Sequence, residues 1–267
     1  MKDYNSYFEV NKKAWNSKTP VHIGSEFYDV ENFKKGKTSL KFIELEELGN
    51  IKGKSILHLQ CHFGLDTLSL ARLGARVTGI DISDKAIEEA KKINDELKFN
   101  AEFLCCNIFD LPNHLNKKFD IVFTSYGVIG WLPELNNWGK IISHFLKPEG
   151  TFYMVEFHPF IWMFDDEFKY FQYSYFQKEP IEETYSGTYA DRNADILNTS
   201  YGWNHTFSQI LNSLINNGLA INFINEFPFS TFACFPNMIK TGEDKFVFEN
   251  HKDIIPYLYS IKATKKI

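Results

Sequence analysis

The chain has 267 residues, of which 44% are hydrophobic and 16% aromatic, and it carries a formal net charge of −5. That length suits one large domain, or one domain with a substantial insertion, and chains of this size bury roughly 70 to 75% of their unfolded surface. An acidic balance with scattered lysines argues against a nucleic-acid stripe or a polybasic membrane anchor. No apolar run approaches the roughly 20 residues of a transmembrane helix, and the opening MKDYNSYFEV has no signal-peptide core. Cys61, Cys105, Cys106 and Cys234 lack zinc or disulfide spacing and read as buried thiols. No histidine-carboxylate pattern suggests a metal site. A cytoplasmic monomer or homodimer is expected.

Residues 1 to about 50 form a leader. A helix is predicted over Ser6 to Trp15, an ordered loop over Pro20 to Tyr28, and a helix over Thr38 to Leu48 that Gly49 closes. The informative stretch follows, from Lys54 to Ser83. Ser55 to Leu59 is a short apolar run, right for a buried strand and too short for a helix. A loop over Gln60 to Gly64 leads into a helix with Leu65, Leu68, Ala71 and Leu73 on or near one face, stopped by Gly74. Arg76 to Ile80 is a second strand that ends at Asp81. This is a strand–loop–helix–strand unit, the first half of a nucleotide-binding α/β domain.

The physics of that unit narrows the ligand. A loop feeding a helix N-terminus presents free N–H groups and a positive dipole end, which suit an anion. An acid at the tip of the second strand can accept hydrogen bonds from both ribose hydroxyls. A dinucleotide fingerprint needs glycines where the chain has Gln60, His62 and Leu65, and no phosphate-cradling Gly-Lys-Ser/Thr follows the strand. The pattern favours an adenosine compound with a carboxylate and no phosphate, a description that S-adenosylmethionine meets.

The motif LHLQCHFGLDTLSLARLGARVTGID resembles the cofactor-binding core of the class I S-adenosylmethionine-dependent methyltransferases, within an uncharacterised bacterial subfamily. The resemblance implies an α/β fold with a Rossmann-like, mostly parallel seven-stranded sheet. Its last strand is antiparallel, helices lie on both faces, and a cap is inserted. It also implies a leader folded over the cofactor as a lid, with Trp15, His22 and Tyr28 placed to line it. The family's usual acid, which helps hold the methionyl ammonium, falls at His58, and its usual glycines fall at Gln60 and His62. His58 reads equally as a core histidine with a satisfied hydrogen bond.

Ser83 is a plausible N-cap for a helix carrying Ala86, Ile87, Ala90, Ile93 and Leu97. Ala101 to Cys106 is the third strand, with Cys105 and Cys106 on opposite faces. The resemblance sends Asn107 and the N–H of Ile108 to the adenine, although Asn107 could equally serve a turn. Phe119 to Ser125 is the fourth strand and apolar throughout, as burial on both faces requires. Tyr126 to Pro133 follows it and should separate cofactor from substrate, because ligands in open α/β sheets sit outside the carboxyl ends of strands. Leu135 to Leu146 is a helix, Lys147 to Gly150 a turn, and Thr151 to Phe157 the fifth strand. Residues from His158 to about 202 lose all period and read as a substrate cap. Asn204 to Asn217 is a helix, Leu219 to Phe227 the sixth strand, Pro228 to Asp253 a loop and Ile254 to Thr264 the last strand. The expected organisation is a leader over 1–50, a cofactor core over 51–157, a cap over 158–202 and the rest of the core over 203–267.

The resemblance implies S-adenosylmethionine as cofactor and a small-molecule methyl acceptor. Expected cofactor contacts are Gln60, Cys61, His62, Phe63, Gly64 and Leu65 in the loop, Asp81 and Ile82 after the second strand, and Asn107, Ile108, Ser125 and Tyr126 further on. Tyr126 and Trp131 are candidates to line the methyl-transfer site. An oxygen acceptor would need a general base; His62 and His205 are candidates, and His158, just after the fifth strand, is the first choice. The competing readings are a nicotinamide-dependent oxidoreductase, which the missing glycines oppose, and a binding protein that keeps the fold without turnover.

Overall fold

The computed structural model describes residues 4–267, so the first three residues of the expected leader, and of the opening read for a signal peptide, lie outside it. The chain opens with α1 (Asn5–Ile23) and two short helices, α2 (Val30–Lys34) and α3 (Phe42–Leu48). A regular alternation then runs β1 (Ser55–Leu59), α4 (Leu65–Arg72), β2 (Arg76–Asp81), α5 (Asp84–Leu97) and β3 (Glu102–Cys105). It continues through α6 (Leu111–His114), β4 (Phe119–Thr124), α7 (Leu135–Phe145) and β5 (Leu146–Phe157). Next come β6 (Ile181–Ser186), β7 (Leu197–Gly202), α8 (Phe207–Ile215) and β8 (Leu219–Phe227). The chain ends with β9 (Ile239–Gly242), β10 (Lys245–Val247) and β11 (Leu258–Lys265).

Seven strands form one sheet in the order β3-β2-β1-β4-β5-β11-β8. Strands β1 to β5 are mutually parallel, and β11 inserts antiparallel between β5 and β8. The sheet therefore has the expected Rossmann-like architecture, with β1 and β4 flanking the point where strand order reverses. The alternation of side chains along β4 shows why a continuous apolar run is needed. Val122 packs among α7 and α8 residues such as Trp138, Ile142 and Leu214, while Ile121 and Phe123 join Ile43 and Leu70 on the opposite face. Helices α7 and α8 approach closely at Gly139, where an added Cβ would lie 2.1 Å from the Ser213 carbonyl oxygen.

Several boundaries differ from expectation. Helix α1 runs through Pro20 to Ile23 instead of stopping near Trp15. Pro20 gives up one backbone bond, but Thr19, Lys18 and His22 are buried there, and their packing outweighs the proline. Helix α3 begins at Phe42, not Thr38, and ends at Gly49 as expected. Strand β5 starts at Leu146, so the expected turn at Lys147 to Gly150 lies inside it, with Glu149 at φ 59°. Helix α8 starts at Phe207 because Thr206 and Gln209 form a capping box. The expected loop over 228–253 contains the β9–β10 hairpin, turned at Asp244 with φ 48°. Of the cysteines, Cys61 and Cys106 are buried, whereas Cys105 is exposed and Cys234 half-buried.

Candidate functional site

A cavity of about 510 Å³ lies beyond the carboxyl ends of β1, β2 and β4, at the strand-order reversal. Its floor is the loop after β1. Three of that loop's residues have left-handed backbone: Gln60 at φ 55°, His62 at φ 51° and Gly64 at φ 79°. The first two are the positions where the resemblance would have glycine, so the loop keeps a glycine-like path with side chains on it. Such conformations cost about 1 kcal/mol or more per non-glycine residue. Side-chain contacts hold them in place. Gln60 Nε2 donates to the Val128 carbonyl at 2.9 Å, and His62 Nε2 lies 2.8 Å from His22 Nδ1 on α1. Gly64 has no such freedom: a Cβ there would sit 2.7 Å from the Phe103 ring.

Asp81, at the tip of β2, is buried, and its oxygens accept from the backbone N–H groups of His62 and Ser83, both at 2.8 Å. Each oxygen keeps a further lone pair for a ligand. Burial raises this carboxyl to about 6 against the pull of those N–H groups. Asn107 turns back on its own chain, where Oδ1 accepts from the Phe109 N–H at 3.0 Å. That is a turn role, and it leaves the Asn107 amide nitrogen as its free donor.

A second carboxylate fixes the loop after β4. Glu156 is 1% exposed and accepts from the backbone N–H groups of Gly127, Val128, Ile129 and Phe157. Burial raises Glu156 to about 6 even so. The loop it holds presents Tyr126, whose hydroxyl donates to Glu44 Oε2 at 2.9 Å, and Trp131, whose indole donates to the Gly127 carbonyl at 2.9 Å. Glu44 is fully buried and raised to about 8, first by desolvation and then by the Asp66 charge.

The cavity's cover comes from distant parts of the chain. Helix α1 is tied to the α5 N-terminus, where Asn16 accepts from Ser83 Oγ at 2.6 Å and donates to Asp84 at 2.9 Å. On its other side Asn11 exchanges two 2.8 Å hydrogen bonds with the Tyr201 backbone on β7. Between these ties lies a cluster of rings. Trp15 meets Trp131 edge-on at 5.1 Å, and the hydroxyls of Tyr28 and Tyr189 share a hydrogen bond. Lys18, 3% exposed, places its ammonium 4.6 and 4.8 Å from the centres of Trp15 and Trp131, and burial lowers it to about 8. His22 is lowered to about 3 by burial and then by Lys18, and His62 falls well below its ordinary value, so both rings are neutral near neutral pH. Two neutral imidazoles carry only two N–H protons and one lies in the shared bond, so of the His22 Nε2 and His62 Nδ1 positions one is a donor and one a bare acceptor.

The expected loop residues Gln60, Cys61, His62, Phe63, Gly64 and Leu65 all line the cavity. So do Asp81, Ile82, Asn107, Ile108, Ser125, Tyr126 and Trp131, together with Trp15, Tyr28 and His205. His158 does not. Its Nδ1 accepts from the Phe160 N–H at 3.2 Å, and its Nε2 therefore donates to Glu226 at 3.1 Å. The ring packs beside Phe207 and Tyr259, and burial lowers it to about 4. His158 fastens the end of β5 to β8, which corrects its choice as the base. His205 donates from Nε2 to the Leu132 carbonyl at 2.7 Å. His58 is 1% exposed, with Nδ1 2.8 Å from Thr67 Oγ1 and Nε2 3.4 Å from Ser125 Oγ, matching the core-histidine reading. Sequence reasoning missed Asp66, Glu44, Lys18 and Glu156; only Asp66, inside the motif, had a local signal.

A profile of the methyltransferase domain family matches residues 50–213. The chain belongs to that family. It is similar to the ubiquinone biosynthesis O-methyltransferase of Coxiella burnetii, 32% identical over 114 residues that cover 43% of this chain and 47% of that protein. It is also similar to an uncharacterized methyltransferase of Synechocystis, 34% identical over 131 residues, 48% of this chain and 59% of that protein. This family member thus spans about half the length of the curated relatives it matches. Among solved structures, geranyl diphosphate C-methyltransferase from Streptomyces coelicolor superposes with a TM-score of 0.62 at 15% identity, over 97% of this chain and 98% of that one. An S-adenosylmethionine-dependent methyltransferase from Clostridium acetobutylicum gives 0.57 at 14% identity, over 96% and 99%. The fold is that of the class I S-adenosylmethionine-dependent methyltransferases. No described helix is long and apolar enough to cross a membrane.

The walls fit such a cofactor. The cavity volume falls in the range of roughly 300 to 1,000 Å³ usual for small-ligand sites. Asp81 retains lone pairs for ribose hydroxyls, and two buried polar atoms on the wall, Gln60 Oε1 and His62 Nδ1, have no partner within the described residues. Buried polar atoms without partners are uncommon, and a polar ligand would satisfy them.

Proposed function

We propose that this family member transfers a methyl group from S-adenosylmethionine to a small-molecule oxygen, nitrogen or sulfur acceptor by in-line displacement. The observation that carries the reading is a family-matched cofactor loop and a buried strand-tip acid, Asp81, opening on one cavity. When bound, the cofactor supplies an electrophilic methyl group on a sulfonium that is its own leaving group.

The protein's part is to hold, orient and exclude water. Asp81 would take the ribose hydroxyls, with Ile82 beside it. The N–H of Ile108 and the free amide nitrogen of Asn107 would serve the adenine. The loop from Gln60 to Leu65 would carry the amino-acid tail, and Ser125 would sit beneath it. Tyr126 and Trp131, locked by Glu44 and Gly127, would form a rigid wall beside the reacting centre, and α1 with the β6–β7 hairpin would keep water out. Proximity and orientation of this kind can supply roughly 7 to 11 kcal/mol. His62, neutral and facing the cavity, replaces His158 as the imidazole placed to hydrogen-bond an acceptor. The rings of Trp15, Tyr28, Trp131 and Tyr189 favour a flat or apolar acceptor.

Incubation with methyl-labelled S-adenosylmethionine and a panel of small phenols, amines, carboxylic acids and thiols tests the reading. Label should appear in at least one product, together with S-adenosylhomocysteine. Tight cofactor binding with no transfer to any class would instead favour a binding protein built on this fold.

A further inference from the structure

We propose that Asp66, assisted by the side-chain oxygen of Gln60, holds the ammonium group of the cofactor's amino-acid tail. The inference rests on the cofactor reading above and names the residue that would recognise one functional group of that ligand.

Asp66 stands in the first turn of α4 and lines the cavity. Its Oδ2 accepts from Ser125 Oγ at 3.1 Å, which uses one of about four lone-pair sites of a carboxylate. Among the described residues, no lysine, arginine or histidine forms an ion pair with it. Its charge acts on the groups around it, favouring protonation at His58, Glu44 and Tyr28. An uncompensated carboxylate on the wall of a cavity calls for a cation.

Gln60 supplies a second, independent observation. Its Nε2 must face the Val128 carbonyl, to which it donates at 2.9 Å, and this orientation leaves Oε1 buried with no donor. Asp66 and Gln60 therefore both anchor on the stretch from Ser125 to Val128 at the carboxyl end of β4, one through Ser125 and the other through Val128. Together they offer only acceptors. Of the cofactor's polar groups, the carboxylate offers none of the donors they need, the ribose hydroxyls have Asp81, and the ammonium brings three donors and a positive charge. His58 is also nearby, but both of its nitrogens already face Thr67 and Ser125.

Calorimetric titration with three ligands separates this subsite from the rest of the site. S-adenosylhomocysteine has the whole tail, its deaminated analogue lacks only the ammonium, and methylthioadenosine lacks the tail altogether. Asp66→Asn keeps an acceptor for Ser125 and removes the charge. Its affinity for S-adenosylhomocysteine should fall about ten- to a hundredfold, with methylthioadenosine affinity changed by no more than about twofold. The unsubstituted chain needs no folding control and should prefer S-adenosylhomocysteine over the deaminated analogue by a similar factor, a preference that Asp66→Asn erases. Unchanged S-adenosylhomocysteine affinity in the variant, equal losses for all three ligands, or no preference in the unsubstituted chain would each overturn the assignment while leaving the cofactor reading intact. Failure of the unsubstituted chain to bind any of the three would remove both.

Discussion

The floor and the cover of the cavity are built by opposite strategies. The floor, from β1 to β4, is mostly local: neighbouring strands pair with one another, and the functional groups stand at element ends a few residues from the hydrophobic runs that position them. The cover is long-range. Asn11 pairs with Tyr201, Tyr28 with Tyr189, and Lys18 is enclosed by Trp15, Trp131 and Tyr185. Floor and cover meet at the loop after β1, which His22 on α1 and Val128 hold in its left-handed path, whereas the rest of the cover exists only where α1, the β4 loop and the β6–β7 hairpin meet. The expected consequence is a rigid floor and a more adjustable cover.

Substitutions can break that contrast in order of size. Asp81→Ala removes the acceptor for the His62 and Ser83 N–H groups and for the ribose, and should weaken binding of S-adenosylhomocysteine and methylthioadenosine alike by about 3 kcal/mol, over a hundredfold, in calorimetric titration. Gly64→Ala demands a left-handed alanine whose Cβ meets the Phe103 ring, and should lower the unfolding free energy by about 2 kcal/mol in urea titration.

The third effect is electrostatic. Glu44 is raised from its ordinary 4.5 to about 8. Between pH 6.5 and 8 the folded state keeps the Glu44 proton and the unfolded state has lost it, so this one group makes stability fall as pH rises, by up to about 1.4 kcal/mol per unit. The acids raised to about 6, Asp81 and Glu156, have largely titrated below that window. The depressed histidines are neutral in the folded state but still partly protonated in the unfolded state just above their ordinary 6.5. The lowered Lys18 begins to lose its proton only in the folded state as pH approaches 8. Both add slopes of the opposite sign, so the Glu44 contribution is read as a difference between parent and variant. Relative to the unsubstituted chain, Glu44→Gln should gain melting temperature steadily from pH 6.5 to 8; a constant offset between the two would mean that Glu44 does not titrate there. The smallest effect isolates the cover. Asn11→Ala removes both bonds to Tyr201 and should cost about 1 kcal/mol. In hydrogen exchange, amides of β6 and β7 should lose protection while β1 and β4 keep theirs; uniform loss would mean floor and cover open together.

The same division explains what the sequence revealed. Strands β1, β2 and β4 and helix α4 were legible nearly to the residue, because burial on both faces writes continuous apolar runs, and Gly74 and Ser83 mark the ends of helices. The loop after β1 was legible in position but not in conformation. Nothing in Gln60 or His62 signals a left-handed backbone, because contacts with Val128 and His22 enforce it from far along the chain. His158 misled for a related reason: its place after β5 was right, but the ring faces β8. The extension of α1 past Pro20 and the β9–β10 hairpin likewise depend on partners that no local pattern displays. Glu44 and Lys18 look like surface charges in sequence, and only the packed cover shows them buried.

The measurement that bears most directly on the account is parallel calorimetric titration of the purified protein with S-adenosylmethionine, S-adenosylhomocysteine and NAD. Micromolar binding of the first two with none of the third is the predicted result. Silence from both adenosylated ligands, or binding of NAD in their place, would contradict the assignment of the cavity.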